Sequence, residues 1–367
     1  MGEIGIKFAL AGFWIVGVVL QLAGLQTWME RKQSALMQDR IGANRASFAL
    51  PWGWAAPINW VLRKLGGLGI LHALADVIKL LTKEDFIPAS ASSFLHWVAP
   101  FVSVFFALVA FAAIPFGDSL MIGGREIQLQ VANIDAALLY VLALASLGIY
   151  GVILAGMASR TNLSALGGMR AVSQMLAYEI ALGVSLIGVV LWYGTLDLQS
   201  IIRQQNQVWG VFVQPLACIV FMTAALAETK RNPFDLPEGE PEIVGYFVEY
   251  SGMKFGLFFL TDFVETVLVA ALTTVLFFGG WQVPFLGPEG FAFPGGLTID
   301  LPRWLVVVIG VQAFITKMLV FIWLFMQIRW TLPRFRYDQL MHLGWKGLFP
   351  ISLANIVVTA ILRVMIP

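Results

Sequence analysis

The chain has 367 residues, of which 59% are hydrophobic and only 12% charged, with a mean hydropathy of +0.82. That composition marks a polytopic membrane protein and excludes an ordinary soluble domain. A net charge of +1 offers no bulk attraction to nucleic acid. The single cysteine, Cys218, excludes an internal disulfide, an iron–sulfur cluster and a cysteine zinc site.

A membrane crossing needs about 20 apolar residues, and its backbone must be helical because lipid offers no hydrogen-bond partners. Eight runs qualify: 8–28, 94–116, 136–159, 175–193, 208–226, 255–280, 305–328 and the short 347–362. The expected fold is therefore all-α, a single integral membrane domain over 1–367. The N-terminus has one lysine, Lys7, and its apolar run passes into Glu30-Arg31-Lys32 without a small-residue cleavage site. It reads as a retained first helix rather than a signal peptide. Sixteen of the 23 lysines and arginines fall in the loops after runs 1, 3, 5 and 7. That bias places those loops in the cytoplasm and both termini outside.

The first cytoplasmic loop, 30–93, opens with ERKQSALMQDRIGANR, dense in alternating charge, and continues with an aromatic piece bearing Pro and Gly, SFALPWGWAAPINWVLRKLGGLG. Residues 70–86 then predict an amphipathic helix. His72, Asp76, Lys79 and Lys83 recur at i, i+4, i+7 and i+11, and Leu71, Leu74, Ala75, Ile78 and Leu81 fill the remainder. Such a helix lies in the membrane surface or under a partner subunit, or packs internally. Loop 117–135 carries GGREIQLQV, which predicts a short outer hairpin. Loop 160–174 is short and cytoplasmic, and 281–303 is an outward loop rich in Gly and Pro.

The stretch 227–250, AETKRNPFDLPEGEPEIVGYFVEY, belongs to an acidic cytoplasmic loop reaching 253. It sets Glu228, Asp235, Glu238, Glu240, Glu242 and Glu249 against only Lys230 and Arg231. Pro233, Pro237, Pro241 and Gly239 make much of it fixed loop rather than regular helix. Clustered carboxylates raise one another's pKa, so such a loop is placed to load and unload protons near neutrality. A plain solvated acidic loop is the alternative.

Ionisable groups inside spans are expensive and default to function. Glu179 lies in the fourth run, Asp262 and Glu265 share one helical face of the sixth at i and i+3, and Lys317 lies in the seventh. Glu228 ends the fifth run and Glu249 precedes the sixth. These groups fit a buried proton path. They equally fit one or two helix-tying ion pairs, such as Lys317 with Asp262 or Glu265.

Four stretches carry a resemblance: ERK…MQDRIGANR, ADVIKLLTKEDFIP, RAVSQMLAYEI and AETKRNPFDLPEGEPEIVGYFVEYSGMKF. A looser fifth is LPRFRYDQLMHLGWK. On these the chain resembles the NADH dehydrogenase subunit 1 family over nearly its whole length. That family supplies a membrane subunit to respiratory complex I, the proton-pumping NADH–quinone oxidoreductase. The resemblance implies a subunit that shapes a quinone chamber with peripheral-arm partners and meets other membrane-arm subunits. Quinone is then the substrate, with FMN and iron–sulfur clusters in partner subunits. It implies a bacterial inner membrane, ubiquinone or menaquinone, and an enzyme only as part of the complex. Position by position, Glu179, Glu228 and Glu249 match family glutamates of the proton path, to which Asp262, Glu265 and Lys317 are added. Asp235, Glu238, Glu240 and Glu242 match the acidic loop facing the quinone cavity. Arg31, Arg40 and Arg45 match basic positions of the first loop, and Ala75, Asp76 and Lys79 match the amphipathic helix at the quinone entrance.

The chain also departs from the family. Gly42-Ala43-Asn44-Arg45 replaces GPNR, Leu71-His72-Ala73 replaces Leu-Gln-Pro, Asn162 replaces Lys, and Asp262 stands where Glu is common. About twenty extra residues lie near 47–69. A membrane anchor of another complex-I-like oxidoreductase or of a membrane-bound hydrogenase, or a free-standing proton-coupled transporter, are the rival readings. Co-purifying subunits separate the first two from the assignment. A central solute site with alternating access distinguishes the third.

Overall fold

The computed structural model describes residues 3–47, 49–52, 56–122, 125–237, 239, 245–292 and 298–365. The acidic residues Glu238, Glu240 and Glu242 lie outside the described residues. Among those described, seven helical rods are long and apolar enough to cross a membrane. The first joins α1 (Glu3–Gly12) and α2 (Leu20–Met37) through a π-helical turn at Phe13–Val19. It continues nine residues beyond the predicted end at Trp28, because the charged ERKQSALM segment is itself made of good helix formers.

The first loop then contains two helices where the sequence predicts one. α3 (Ala56–Leu68) and α4 (His72–Thr82) meet at 91°. α4 is the predicted amphipathic helix, trimmed at both ends from 70–86. α3 occupies the aromatic piece whose Pro and Gly do not suggest a helix. The sharp corner sits at Gly69, whose φ is +85° and where a Cβ would meet the Ala43 carbonyl at 2.1 Å, so only glycine fits there.

α5 (Ser93–Val109) ends in a 3₁₀ turn at Ala110–Ala113 and precedes the expected outer hairpin, β1 (Leu120–Ile122) paired antiparallel with β2 (Arg125–Ile127). α6 (Ala137–Ala158) follows, then α7 (Asn162–Tyr193). α7 absorbs nearly all of 160–174, predicted as loop, so the turn between α6 and α7 is only a few residues. Small residues let these two helices close in: a Cβ on Gly156 would lie 3.3 Å from the Gly168 Cα.

Short α8 (Leu198–Gln204) and α9 (Gly210–Val213) lead to α10 (Pro215–Glu228). The expected fifth crossing, 208–226, is thus only 14 helical residues, about 21 Å, too short to span a bilayer alone. Pro215 fixes its start, since proline suits a first helical position and cannot extend a helix backwards.

α11 (Gly252–Phe277) is the most enclosed of the long helices. A three-stranded antiparallel sheet, β3 (Leu286–Gly287), β4 (Gly290–Ala292) and β5 (Thr298–Asp300), stands where the sequence predicts only loop. α12 (Arg303–Thr331) is the sixth long rod. The seventh joins α13 (Tyr337–His342) and α14 (Phe349–Met365) through a π-helical turn, and reaches well beyond the short predicted run 347–362.

Candidate functional site

The short α10 explains the site. Its two ends lie against different levels of α11. Just before its start, Gly210 packs on the Leu276 carbonyl, and Phe221, halfway along it, meets Phe277 with ring centroids 5.7 Å apart. Just past its end, the Lys230 Nζ donates to Asp262 at 3.0 Å and lies 3.9 Å from Glu265. Asp262 is ten residues into α11, about 15 Å along its axis. The acidic stretch therefore begins alongside the middle of α11 rather than beside its first turn, as non-helical backbone enclosed by protein. That is the condition under which such backbone is tolerated at membrane depth.

Side chains from α7 hold it there. The buried Gln174 amide donates to the carbonyls of Ala227 and Phe234 at 2.8 and 2.7 Å, closing the loop across its neck. Ser164 donates to the Tyr246 carbonyl at 2.7 Å, and the Tyr178 hydroxyl to the Leu340 carbonyl at 2.8 Å. Phe234 stacks on Phe335, and the Phe335 N–H donates to the Pro233 carbonyl at 3.1 Å.

A file of charges follows this loop. Arg334 pairs with Asp235 at 3.2 Å. Glu30, near the end of the first rod, takes Arg329 at 2.5 Å and lies 3.9 Å from Arg231. Arg231, itself buried, lies over the Phe263 ring at 4.3 Å. Lys230 is 2% exposed and sits between Asp262, Glu265 and the Tyr246 ring. Burial pushes the Asp235 carboxyl up to about 6, with Arg334 the largest opposing influence.

Beyond Lys230 lies a small internal cavity of about 30 Å³ where α5, α6, α7, α10 and α11 meet. Glu228, Thr229 and Glu265 contribute its polar wall, and Ala107, Gly148, Leu182 and Phe221 are among its other neighbours. That is room for one or two waters beside two carboxylates. Glu179, on α7, is held by the Ser146 hydroxyl of α6. Glu228, Glu265 and Glu179 are all half-buried inside the helix bundle.

The structure thus brings together Glu228, Asp262 and Glu265. It does not bring Lys317 to them. The Lys317 Nζ donates to the carbonyls of Phe278, Gly280 and Gln282 at 2.8, 3.0 and 2.7 Å and lies over the Trp209 ring, at the far end of α11. The cation partnering Asp262 is Lys230, which the sequence presents as part of a solvated loop. Glu249 lies apart, its carbonyl 3.4 Å from the His96 Nε2. There Lys254, 3% exposed, pairs with Asp85 at 2.8 Å, and His96 stacks on Tyr250 at 3.9 Å.

On the first loop, Arg31 pairs with Asp76 at 2.6 Å, tying α2 to α4. A half-open cavity of about 510 Å³ runs between the first rod and the start of α4, with Ile315 of α12 also at its wall. Leu22, Leu25, Trp28, Leu71 and Leu74 line it in part, so it is mainly apolar. Arg45 borders a separate open hollow with Gly42 and His72, while Arg40, Ala75 and Lys79 are exposed. Sequence reasoning missed Glu30, Lys230, Arg231, Gln174, Arg329 and Arg334 as site members. The available signal was the Lys-Arg pair next to Glu228, and the glutamine and tyrosine within an apolar run.

Comparison with known proteins was consistent along the length of the chain. The family model described as NADH dehydrogenase matches residues 10–360. An NADH-quinone oxidoreductase H subunit of Cytophaga hutchinsonii is 41% identical over 363 residues, covering 97% of this chain and 98% of that protein. The corresponding protein of Thermomicrobium roseum is 42% identical, covering 96% and 95%. One from Geobacter sulfurreducens is 42% identical, covering 97% and 94%.

Proposed function

The chain belongs to the NADH dehydrogenase family, and from that premise we propose that it is the quinone-site membrane subunit of a proton-translocating NADH–quinone oxidoreductase. The observation carrying this reading is the continuous file of charges from Asp235 and Glu30 through Lys230 to the Glu228–Glu265 cavity. A family-wide match alone says nothing about how this chain would couple chemistry to protons; the file supplies a physical route.

Reduction of a quinone to its quinol takes two electrons and two protons. The electrons come from clusters in partner subunits, and this chain supplies the apolar approach and the acidic surroundings. The apolar cavity lined by Trp28, Leu71 and Leu74 suits a hydrophobic quinone arriving from lipid. By the family resemblance, the acidic stretch that carries Asp235 borders the quinone chamber. Charge arising there acts first on Asp235, whose carboxyl is pushed by burial up to about 6. Loss or gain of that proton changes its hold on Arg334, and through the Phe234–Phe335 stack the position of the loop beneath. Lys230 then leans more or less on Asp262 relative to Glu265. The field at Glu228 changes with it, and Glu179 relays inward. Lys317 is left out of this path because its three carbonyl partners make it a cap for the end of α11. The charge bias of the loops supports a cytoplasmic acidic stretch in a bacterium, with both termini periplasmic.

The test is affinity purification of the chain from native membranes in mild detergent. NADH-dependent quinone reduction, together with flavin and iron–sulfur subunits in the preparation, is the expected result. A complex that retains this chain but lacks NADH activity, or carries hydrogenase subunits, overturns the assignment to an NADH-driven enzyme.

A further inference from the structure

Helix α3 belongs to none of the machinery described above. Its inner side rests on its own loop. Gly66 packs on Ala46 and Ser47, and the Asn59 side chain exchanges two hydrogen bonds with the backbone of Leu50, at 2.8 and 3.0 Å. Its end is fixed to the first rod, where the Trp28 indole N–H donates to the Leu68 carbonyl at 2.8 Å. Trp28 closes the first apolar run, so this bond sets the end of α3 at the level of the membrane border.

The outer side is a different matter. Ile58, Val61 and Leu68 recur at i, i+3 and i+10 and form an exposed apolar stripe, 42%, 46% and 55% open. Beside the stripe stand Trp60, Arg63 and Lys64, with the Lys64 Nζ 4.6 Å above the Trp60 ring. A 13-residue helix with one face unsupported is marginal in water. The local charge indicates what covers it: between Ile41 and Ala75 there is no Asp or Glu, while Arg45, Arg63 and Lys64 are present.

We propose that α3 is an interfacial anchor that lays the Ile58–Val61–Leu68 stripe into the headgroup boundary of the bilayer, with Arg63 and Lys64 binding the phosphates of anionic lipids. An apolar stripe, a rim of aromatic and basic side chains and a border-level attachment are together the features of a helix lying in a membrane surface. This inference is independent of the redox assignment. It adds a lipid-binding site to the corner that precedes α4.

The test uses the full chain with Cys218→Ser, reconstituted in nanodiscs of phosphatidylcholine with or without phosphatidylglycerol. A spin label is placed at Val61→Cys and, separately, at Gly67→Cys, about 120° around the helix from Val61 and in open space. The Val61 label is expected to be reached by oxygen and shielded from an aqueous nickel chelate, and the Gly67 label the reverse. Phosphatidylglycerol should raise the shielded fraction at Val61. Arg63→Gln or Lys64→Gln should each reduce that lipid preference about fivefold. Both cations are exposed, so these variants keep the fold. A Val61 label open to the chelate in both lipids overturns the anchor and leaves the stripe to a protein partner. A shielded label indifferent to phosphatidylglycerol and to both variants overturns the anionic-lipid site.

Discussion

Lys230 carries more of this structure than its place in a loop would imply. It is an ammonium group 2% exposed, within 3.0 Å of Asp262 and 3.9 Å of Glu265. Removing one partner of such a buried pair leaves an uncompensated charge and costs about 3–5 kcal/mol. Lys230→Met should therefore lower the thermal stability of the detergent-solubilised protein sharply, and adding Asp262→Asn should recover part of the loss. Equal melting temperatures for Lys230→Met and the parent would contradict this. Asp235 makes a prediction about pH. Burial raises its carboxyl from an ordinary 3.8 to about 6. The folded state then binds this proton more tightly than the unfolded one. The resulting stabilisation is full below about pH 4 and is lost as pH rises through about 6. Asp235→Asn removes that dependence. Relative to the variant, the parent should lose on the order of 3 kcal/mol from acid to neutral pH, less whatever Arg334 loses as its partner changes. Melting curves of parent and variant that stay parallel from about pH 4 to about 7.5 would exclude it.

Helix α10 and the loop after it show how far the sequence could be read. The apolar runs of α5, α6, α11 and α12 were legible because each is long and holds at most two charged groups within its apolar length. The amphipathic α4 was legible from its polar stripe. The true length of α10 was not, because hydropathy measures how apolar a segment is, not where its backbone leaves the helix. Residues 208–214 are apolar enough to join the run, and only the proline at 215 hinted at a break. α3 was hidden because Pro57, Gly66 and Gly67 read as loop signals, yet the proline falls in the first turn and the glycines in the last. The candidate acids Glu228, Asp262 and Glu265 were legible as costly groups in apolar surroundings. Their partner was not, because Lys317 lay within a span and Lys230 did not. What encloses the loop is chiefly Gln174, whose amide serves two carbonyls. Gln174→Leu keeps the volume but strands both, at about 1–3 kcal/mol for each buried group. It should raise the protease sensitivity of the 229–237 segment while α7 remains helical. A digestion pattern identical to the parent's would show that the neck is held by other contacts.

Across the whole molecule, two sets of buried ionisable groups among the described residues lie at different levels of α11. Lys317 sits on backbone carbonyls at its C-terminal end, a cap that closes the helix. Midway along it, Lys230, Asp262, Glu265 and Glu228 surround a water-sized cavity, next to the ion pairs of Glu30, Arg231, Arg329, Asp235 and Arg334. Gly148 leaves space at that cavity: a Cβ there would lie 3.8 Å from the Glu265 Oε1, with no other neighbour within 4 Å. A leucine at 148 should fill the space, exclude water and slow proton movement, while quinone reduction uncoupled by an ionophore falls less. Equal slowing of coupled and uncoupled turnover would place the effect elsewhere. The most direct test is Glu228→Gln in the assembled complex, in sealed membrane vesicles, with NADH–quinone reductase rate and vesicle acidification recorded together. If Glu228 belongs to the coupling route, assembly is kept, and quinone reduction and acidification both fall well below the parent. A fully assembled Glu228→Gln complex with parental reduction and parental acidification would contradict the account.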